Sequence, residues 1–272
     1  MAEASTTGTG FSIRRLPGFT ATAVVCYVML YAPILALVAY SFNAGSSIAV
    51  WEGFSLHWYG AAWQNAKVQE ATLLSLLVAT VSSVSATILA SMAALGTTRT
   101  RAYRGQMVVY AMINQPLMVP EIVTAVALLI VFALIKSMTG YQGLIYLIGA
   151  HTAFCIPFAY LPIRARLEGM DLSLEVAAAD LYATPFKTFR LITLPLLWPG
   201  IIAGMMLAFV ISLDDVVITE FVKAPGQDTL PTYMLGQLRR VITPEIHAIS
   251  TALLSISVVM VSIIFLLNRN KN

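Results

Sequence analysis

The chain has 272 residues, of which 58% are hydrophobic and only 11% charged, with a formal net charge of +3. An ordinary soluble domain is roughly 25% charged, and surface-to-volume scaling at this length leaves too much apolar side chain for one water-soluble core. A membrane supplies the missing apolar solvent, and singly scattered Lys and Arg argue against a nucleic-acid-binding patch. The expected fold class is an all-α polytopic membrane protein.

Residues 1–18, MAEASTTGTGFSIRRLPG, read as a flexible polar arm. The apolar run after them is too long for the core of a signal peptide and is expected to stay as a membrane span. Six spans are predicted, over residues 19–42, 71–95, 106–135, 142–163, 192–219 and 249–267. Each meets the requirement of about 20 residues at 1.5 Å rise. They make one domain over residues 19–268, with 269–272 as a tail. The third span contains Pro116 and Pro120, and the fourth Pro157 and Pro162. Each proline frees a carbonyl, so kinks are expected in both. The connection over residues 43–70 holds Trp51, Trp58 and Trp63 and suits an interfacial segment. Residues 221–248 suit a short helix or re-entrant piece, with Pro225–Gly226 marking a turn.

Basic residues set the orientation. Arg14, Arg15, Arg99, Arg101, Arg104, Arg164, Arg166, Lys187, Arg190, Arg269 and Lys271 fall on one side, 11 of the 16. Lys67, Lys136, Lys223, Arg239 and Arg240 fall on the other. The positive-inside rule makes the first side cytoplasmic, and both termini and the loop over residues 164–191 with it.

No catalytic or metal site is expected. Cys26 and Cys155 sit in apolar runs and read as small hydrophobes, and His57, His151 and His247 lack ligand spacing. There is no Walker A sequence and no GxSxG.

The segment EVAAADLYATPFKTFRLITLPL, residues 175–196, is polar and helix-prone between two apolar spans. Asp171 or Ser173 can cap a first helix, and Glu175 then lies in its first turn, where negative charge is favoured. Thr184 followed by Pro185 is a second start signal. Two short helices meeting near residues 182–184 are therefore expected, and the run of small alanines suits docking into a groove. An amphipathic connector resting on the membrane surface is the plainer alternative.

This stretch resembles the EAA loop of inner-membrane permease subunits of ATP-binding cassette (ABC) importers. Anchored on Leu194–Pro195, the family's small residues fall on Ala177 and Ala178, and Asp180, Leu181 and Ala183 also fit. The motif's Glu position holds Val176, with Glu175 one residue early, and its Gly position holds Tyr182. A Tyr takes positive φ only at a cost. The stretches PLMVPEIVTAVALLIVFALI, HTAFCIPFAYLPIRARLEGMD, FVISLDDVVITEFV and TPEIHAISTALL are similar to the second permease of spermidine/putrescine importers.

The resemblance implies a type I ABC importer fold in a bacterial cytoplasmic (inner) membrane. It implies a second related permease as heterodimer partner, two ATPase subunits that bind ATP and Mg, and an extracytoplasmic substrate-binding protein. This chain would then carry no cofactor of its own and perform no catalysis. Glu175, Ala177, Ala178, Asp180, Tyr182 and Pro185 would belong to helices that couple to the ATPase. The substrate would be a polyamine, with iron, sulfate, molybdate, thiamine or another amine as alternatives within the family. An ion-coupled carrier or channel is the reading from another class, and the coupling hairpin argues against it.

Glu121, Asp214, Asp215 and Glu220 lie within or near the ends of apolar spans. A carboxylate at mid-bilayer costs at least about 2.5 kcal/mol, so these should face water, a partner or a cation. Glu121 follows Pro120 and is expected in the first turn after a kink, eased by the helix N-terminus. Asp214 and Asp215 cannot share one helix face, so one is expected on the substrate path and the other in a structural role such as capping a broken helix. Aromatic residues could add cation–π contacts for an amine; Tyr110 and Phe158 are the candidates, with bundle packing or lipid contact as the alternative.

Overall fold

The computed structural model describes residues 18–47, 50–100, 103–239 and 244–269. The expected arm up to residue 17, the tail beyond Arg269, and Arg14, Arg15, Arg101, Arg240 and Lys271 lie outside the described residues.

The described chain is helical throughout: α1 Phe19–Tyr40, α2 His57–Gln64, α3 Ala66–Thr98, α4 Gln106–Met118, α5 Glu121–Thr139, α6 Leu144–Glu168, α7 Ser173–Asp180, α8 Pro185–Thr188, α9 Leu194–Asp214, α10 Val217–Val222, α11 Leu230–Leu238 and α12 Pro244–Arg269. Six helical stretches among the described residues are long and apolar enough to cross a membrane.

The sequence-based spans need revision, most of all the third and fifth; α3 and α12 also start five residues before the expected spans, and α6 ends five residues beyond its own. The third is two helices, not one kinked helix: Val119 and Pro120 are extended, with ψ of 140° and 133°. Pro120 excludes Val119 from the helical region, so α4 ends there and Glu121 opens α5. Pro116, Pro157 and Pro162, by contrast, are held inside α4 and α6. The fifth span starts earlier than expected, because α8 runs without a gap through a π turn, Phe189–Thr193, into α9. It also stops earlier, at Asp214, and α10 follows as a separate short helix. The expected connections do form short helices, α2 and α11, and Gly226 makes the turn at positive φ.

The core is α3, α6 and α9 packed on one another. On α3 the buried positions are mostly Ala, Ser and Thr, recurring every three or four residues from Val68 to Ala94. Small side chains let helices approach closely where no water drives them together. Gly204 on α9 is the tightest case: a Cβ there would sit 2.6 Å from the Ala159 carbonyl oxygen of α6. The Ser82 hydroxyl of α3 donates to the Ile148 carbonyl of α6 at 3.1 Å, a bond between helices that hydrocarbon cannot replace. In α1, no residue is buried.

Two polar seams mark the ends of this core. At one, Arg99 at the end of α3 reaches the Leu167 carbonyl near the end of α6 at 3.0 Å. At the other, the Leu230 amide of α11 donates to Ser75 Oγ of α3 at 2.7 Å, and Asn65 Nδ2 donates to Glu245 of α12 at 3.0 Å.

Candidate functional site

The break between α9 and α10 is built on Asp215. Its backbone is extended, with φ −65° and ψ 133°. Oδ1 accepts the Ile218 amide at 3.2 Å; Oδ2 accepts the Thr219 amide and the Thr219 hydroxyl, both at 2.9 Å. This carboxylate therefore caps α10 and answers amide groups that would otherwise be orphaned in the bilayer. His151 of α6 completes the cluster: Nδ1 lies 2.8 Å from Ser212 Oγ, and Nε2 lies 2.9 Å from Thr219 Oγ1 and 3.4 Å from Asp215 Oδ2. Because the Thr219 proton goes to Asp215, its oxygen accepts from Nε2–H, and Nδ1 accepts from the Ser212 hydroxyl. All four side chains are buried.

The neighbouring acids are placed differently. Asp214 ends α9 and is exposed, beside Ser257 of α12. Glu121 opens α5, half-buried, with its carboxyl beside that of Asp215. No basic side chain lies within 4 Å of Glu121 or Asp214 among the described residues. The structure thus brings Glu121 beside Asp215, places Asp214 beside Ser257, and separates the roles of the three. Asp215 is committed to backbone; Asp214 and Glu121 keep oxygens free for something else.

The two aromatic candidates have other engagements. The Tyr110 ring already carries a cation, the Arg164 guanidinium, 4.6 Å from its centroid. Phe158 packs on Phe154 at 5.5 Å at the edge of the core. Glu220, flagged as an intramembrane acid, is paired: Lys223 Nζ bonds it at 2.6 Å and Asp228 at 2.8 Å. Burial pulls the Lys223 ammonium down, but those two carboxylates hold it above the usual lysine value. All three line a cavity of about 490 Å³ with Lys67, Glu70 and Arg239. Three acids and three bases leave it no net charge. No group of three potential metal ligands exists among the described residues.

The hairpin over residues 171–193 forms, but only its second start signal acts as expected: α7 has Leu172 at its N-cap and no side-chain cap, so neither Asp171 nor Ser173 caps it. Asp171 Oδ1 accepts the Ser173 amide at 2.9 Å, and the Ser173 hydroxyl and amide hold the Asp171 carboxyl below the usual carboxylate range. Thr184 caps α8 and Pro185 takes its first position. Between them, Tyr182 adopts φ 57°, the only non-glycine at positive φ among the described residues. The reason is the way α7 ends: the Ala183 amide bonds the Ala178 carbonyl at 3.0 Å and the Tyr182 amide bonds Ala179 at 2.9 Å. This is the Schellman pattern, which requires a left-handed residue at this place. Tyr therefore takes the glycine conformation at a cost of about 1–2 kcal/mol.

Within the hairpin, Ala177, Asp180, Tyr182 and Pro185 are exposed, and so are Val176, Leu181 and Phe186. Tyr182 is 95% exposed and Leu181 82%, an apolar tip left open by this chain. Ala178 is buried inside the hairpin. Glu175 turns inward: its Oε1 accepts from Arg99 Nε at 3.2 Å and from the Thr193 hydroxyl at 3.0 Å. Sequence reasoning passed over His151, Arg99 and Thr193, whose partners lie 64, 76 and 18 residues away for Asp215, Glu175 and Glu175. No local spacing announces such pairs.

Residues 86–270 match the family model of the binding-protein-dependent transport system inner membrane component. The chain is 40% identical over 231 residues to the putrescine transport system permease protein PotI of Escherichia coli (strain K12), covering 84% of this chain and 82% of that one. It is 36% identical over 258 residues to the spermidine/putrescine transport system permease protein PotC of the same organism, covering 95% and 96%. Among solved structures, a bacterial ABC transporter involved in alginate import shares the fold with a TM-score of 0.65 at 16% identity, over 93% of each chain. The MetNI methionine ABC transporter, in inward-facing conformations, does so with a TM-score of 0.58 at 18% identity, over 73% of this chain and 92% of that one. Two adjacent acids at a helix break and a capped hairpin thus sit on a type I importer permease fold, and the chain belongs to the family of binding-protein-dependent transport system inner membrane components: it is a non-catalytic permease subunit of an ABC importer.

Proposed function

We propose that this permease passes polyamines, putrescine or spermidine, as one half of a path shared with a second related permease. The observation that carries this reading is the placement of Asp214 and Glu121: two carboxylates without basic partners, at the ends of membrane-length helices, one of them exposed on the isolated chain. Lipid rejects such groups, so the face they occupy meets water or another subunit. The Glu121 and Asp215 carboxyls also repel each other, and a cation beside them relieves that repulsion. An alkyl diamine or triamine offers ammonium groups separated by apolar methylenes, which suits acids spaced along apolar helices. The similarity to permeases named for putrescine and spermidine transport supports the same class. In this reading Tyr110 and Phe158 shape the path without holding the amine.

The end of the core that carries Arg99, Arg164, Arg166, Lys187 and Arg190 faces the cytoplasm, and both termini lie there. There, Ala177, Asp180, Leu181, Tyr182 and Pro185 dock the hairpin into an ATPase subunit that binds ATP and Mg. The cavity at the other end carries no net charge and so does not select cations by charge; in this reading an extracytoplasmic binding protein selects the substrate.

The test is uptake of labelled putrescine and spermidine by complexes carrying Glu121→Gln or Asp214→Asn, normalised to assembled complex. Uptake falls about tenfold if each carboxylate stabilises the moving cation by one charge-assisted contact. Wild-type uptake of both amines by both variants would remove the acidic path. For orientation, single cysteines placed at Thr100, Lys187 and Lys223, with native cysteines removed, are labelled by an impermeant reagent in intact cells. Only the last should react.

A further inference from the structure

Glu175 is the one acid of the hairpin with a side-chain bond to a residue outside it. A single oxygen, Oε1, accepts from the end of α3 through Arg99 and from the end of the π turn through Thr193. Arg99 continues the connection, since its Nη2 donates to the Leu167 carbonyl in the last turn of α6. One carboxylate thereby ties α7 to α3, to α6 and to the turn that feeds α9, the three helices of the core. Otherwise α7 packs chiefly on α8 and the π turn.

The two side chains are 18% and 23% exposed, so solvent screens their attraction only in part. Charge-assisted bonds of this kind are directional. Thr193 is 4% exposed and ends a π turn, a local departure from α-helix that recurs at functional sites. The apolar tip at Leu181 and Tyr182 takes no part in these bonds and stays exposed.

We infer that Glu175 is a positioning residue: with Arg99 and Thr193 it forms a strut that makes α7 move together with α3, α6 and α9, rather than a contact to the ATPase. This rests on the reading of the hairpin as the coupling element. A push on the exposed tip would otherwise be taken up by rotation of the hairpin about its own short connections. With the strut in place, displacement of α7 displaces the core helices that carry the acidic break, because α6 and α9 hold His151 and Asp214. The reverse also holds: a change at the outer end of the core reaches the ATPase through the same bonds.

The test uses the full complex, both permeases and both ATPases, in proteoliposomes, with the cognate binding protein purified carrying its own ligand. Two quantities are measured: ATPase subunits retained per permease, and the fold stimulation of ATP hydrolysis by the binding protein. Glu175→Gln keeps the shape and the Thr193 bond but removes the charge; Arg99→Met keeps the apolar stem. Each should retain the ATPase at wild-type stoichiometry and lose about tenfold in stimulation, the worth of one charge-assisted bond. The double variant should lose no more than Arg99→Met alone, because Glu175→Gln weakens one of the bonds that Arg99→Met already removes, the other being that to Leu167. Thr193→Val, which removes the second donor alone, should lose less, about threefold. Loss of ATPase from Glu175→Gln, unchanged stimulation in it, or multiplied losses in the double variant would each overturn the strut. Ala177→Arg reports on docking separately: if it keeps the ATPase bound, the hairpin is not the docking surface, while the stimulation ratios of Glu175→Gln and Arg99→Met still decide the strut. Stimulation does not depend on knowing the substrate, so failure of the polyamine reading leaves this result intact.

Discussion

α3 and α6 are less apolar than α1 and α5, yet they are the ones buried. Mean hydropathy over the most apolar stretch is 2.0 and 1.7 for the first pair, with 44% and 50% of that stretch inside the protein; for the second it is 2.2 and 2.3, with 0% and 6% inside. In water the order would be reversed. In a membrane, apolar surface is solvated by lipid, and burial follows close packing and interhelical hydrogen bonds instead. α3 buries Ala, Ser and Thr, whereas α1 leaves Tyr27, Met29, Leu30 and Leu35 exposed.

Gly204 is the hardest test of that difference. Gly204→Val places side chain against the Ala159 carbonyl, where even a Cβ has only 2.6 Å. Backbone cannot yield there as a flexible side chain would, so separation of α6 and α9 should cost about 3 kcal/mol or more. Yield of monodisperse complex and its melting temperature should both collapse; normal values would mean the core is not close-packed at this crossing.

Asp215 and Asp214 come next. Asp215→Ala strips the cap of α10 and leaves buried donors unanswered, at about 2–4 kcal/mol by the sum of a lost cap and an unsatisfied group. Asp214→Ala, one residue away, should leave the melting temperature within about 0.5 kcal/mol of wild type while lowering uptake. Equal melting losses at both positions would erase the distinction between the structural acid and the free one.

Tyr182→Gly has a smaller effect, of opposite sign in two measurements. Removing the strained left-handed Tyr stabilises the hairpin by about 1 kcal/mol, visible as slower hydrogen exchange at residues 178–183. Coupling should nonetheless weaken, because the proposed docking surface includes this 95%-exposed ring. A variant with faster exchange would mean that the Schellman turn is not strained. At the bottom of the scale, Leu35→Ala on α1, at a site 66% exposed, should change the melting temperature by less than the equivalent of about 0.5 kcal/mol.

Much of this protein was legible from local pattern. Runs of about 20 apolar residues impose helices on any chain that must satisfy its backbone inside a bilayer, so the six spans followed from composition and length. Thr184–Pro185 announced the second helix of the hairpin because capping is a matter between near neighbours. The intramembrane acids stood out by their cost alone. What local pattern leaves open is the identity of partners. Two adjacent aspartates differ in nothing but their direction, and direction was decided when Asp215 met the amides of Ile218 and Thr219 and the His151 edge of α6. Pro120 broke a helix while Pro116, Pro157 and Pro162 did not, and local pattern does not separate them, since each frees one carbonyl. Glu175 reads in sequence as a first-turn acid one place out of register; only tertiary structure brings Arg99 from 76 residues away to its carboxylate. The period of a helix and the cost of burying charge act along the chain and are written there, whereas hydrogen bonds between helices depend on which faces meet, and that is set by the packing of the whole bundle.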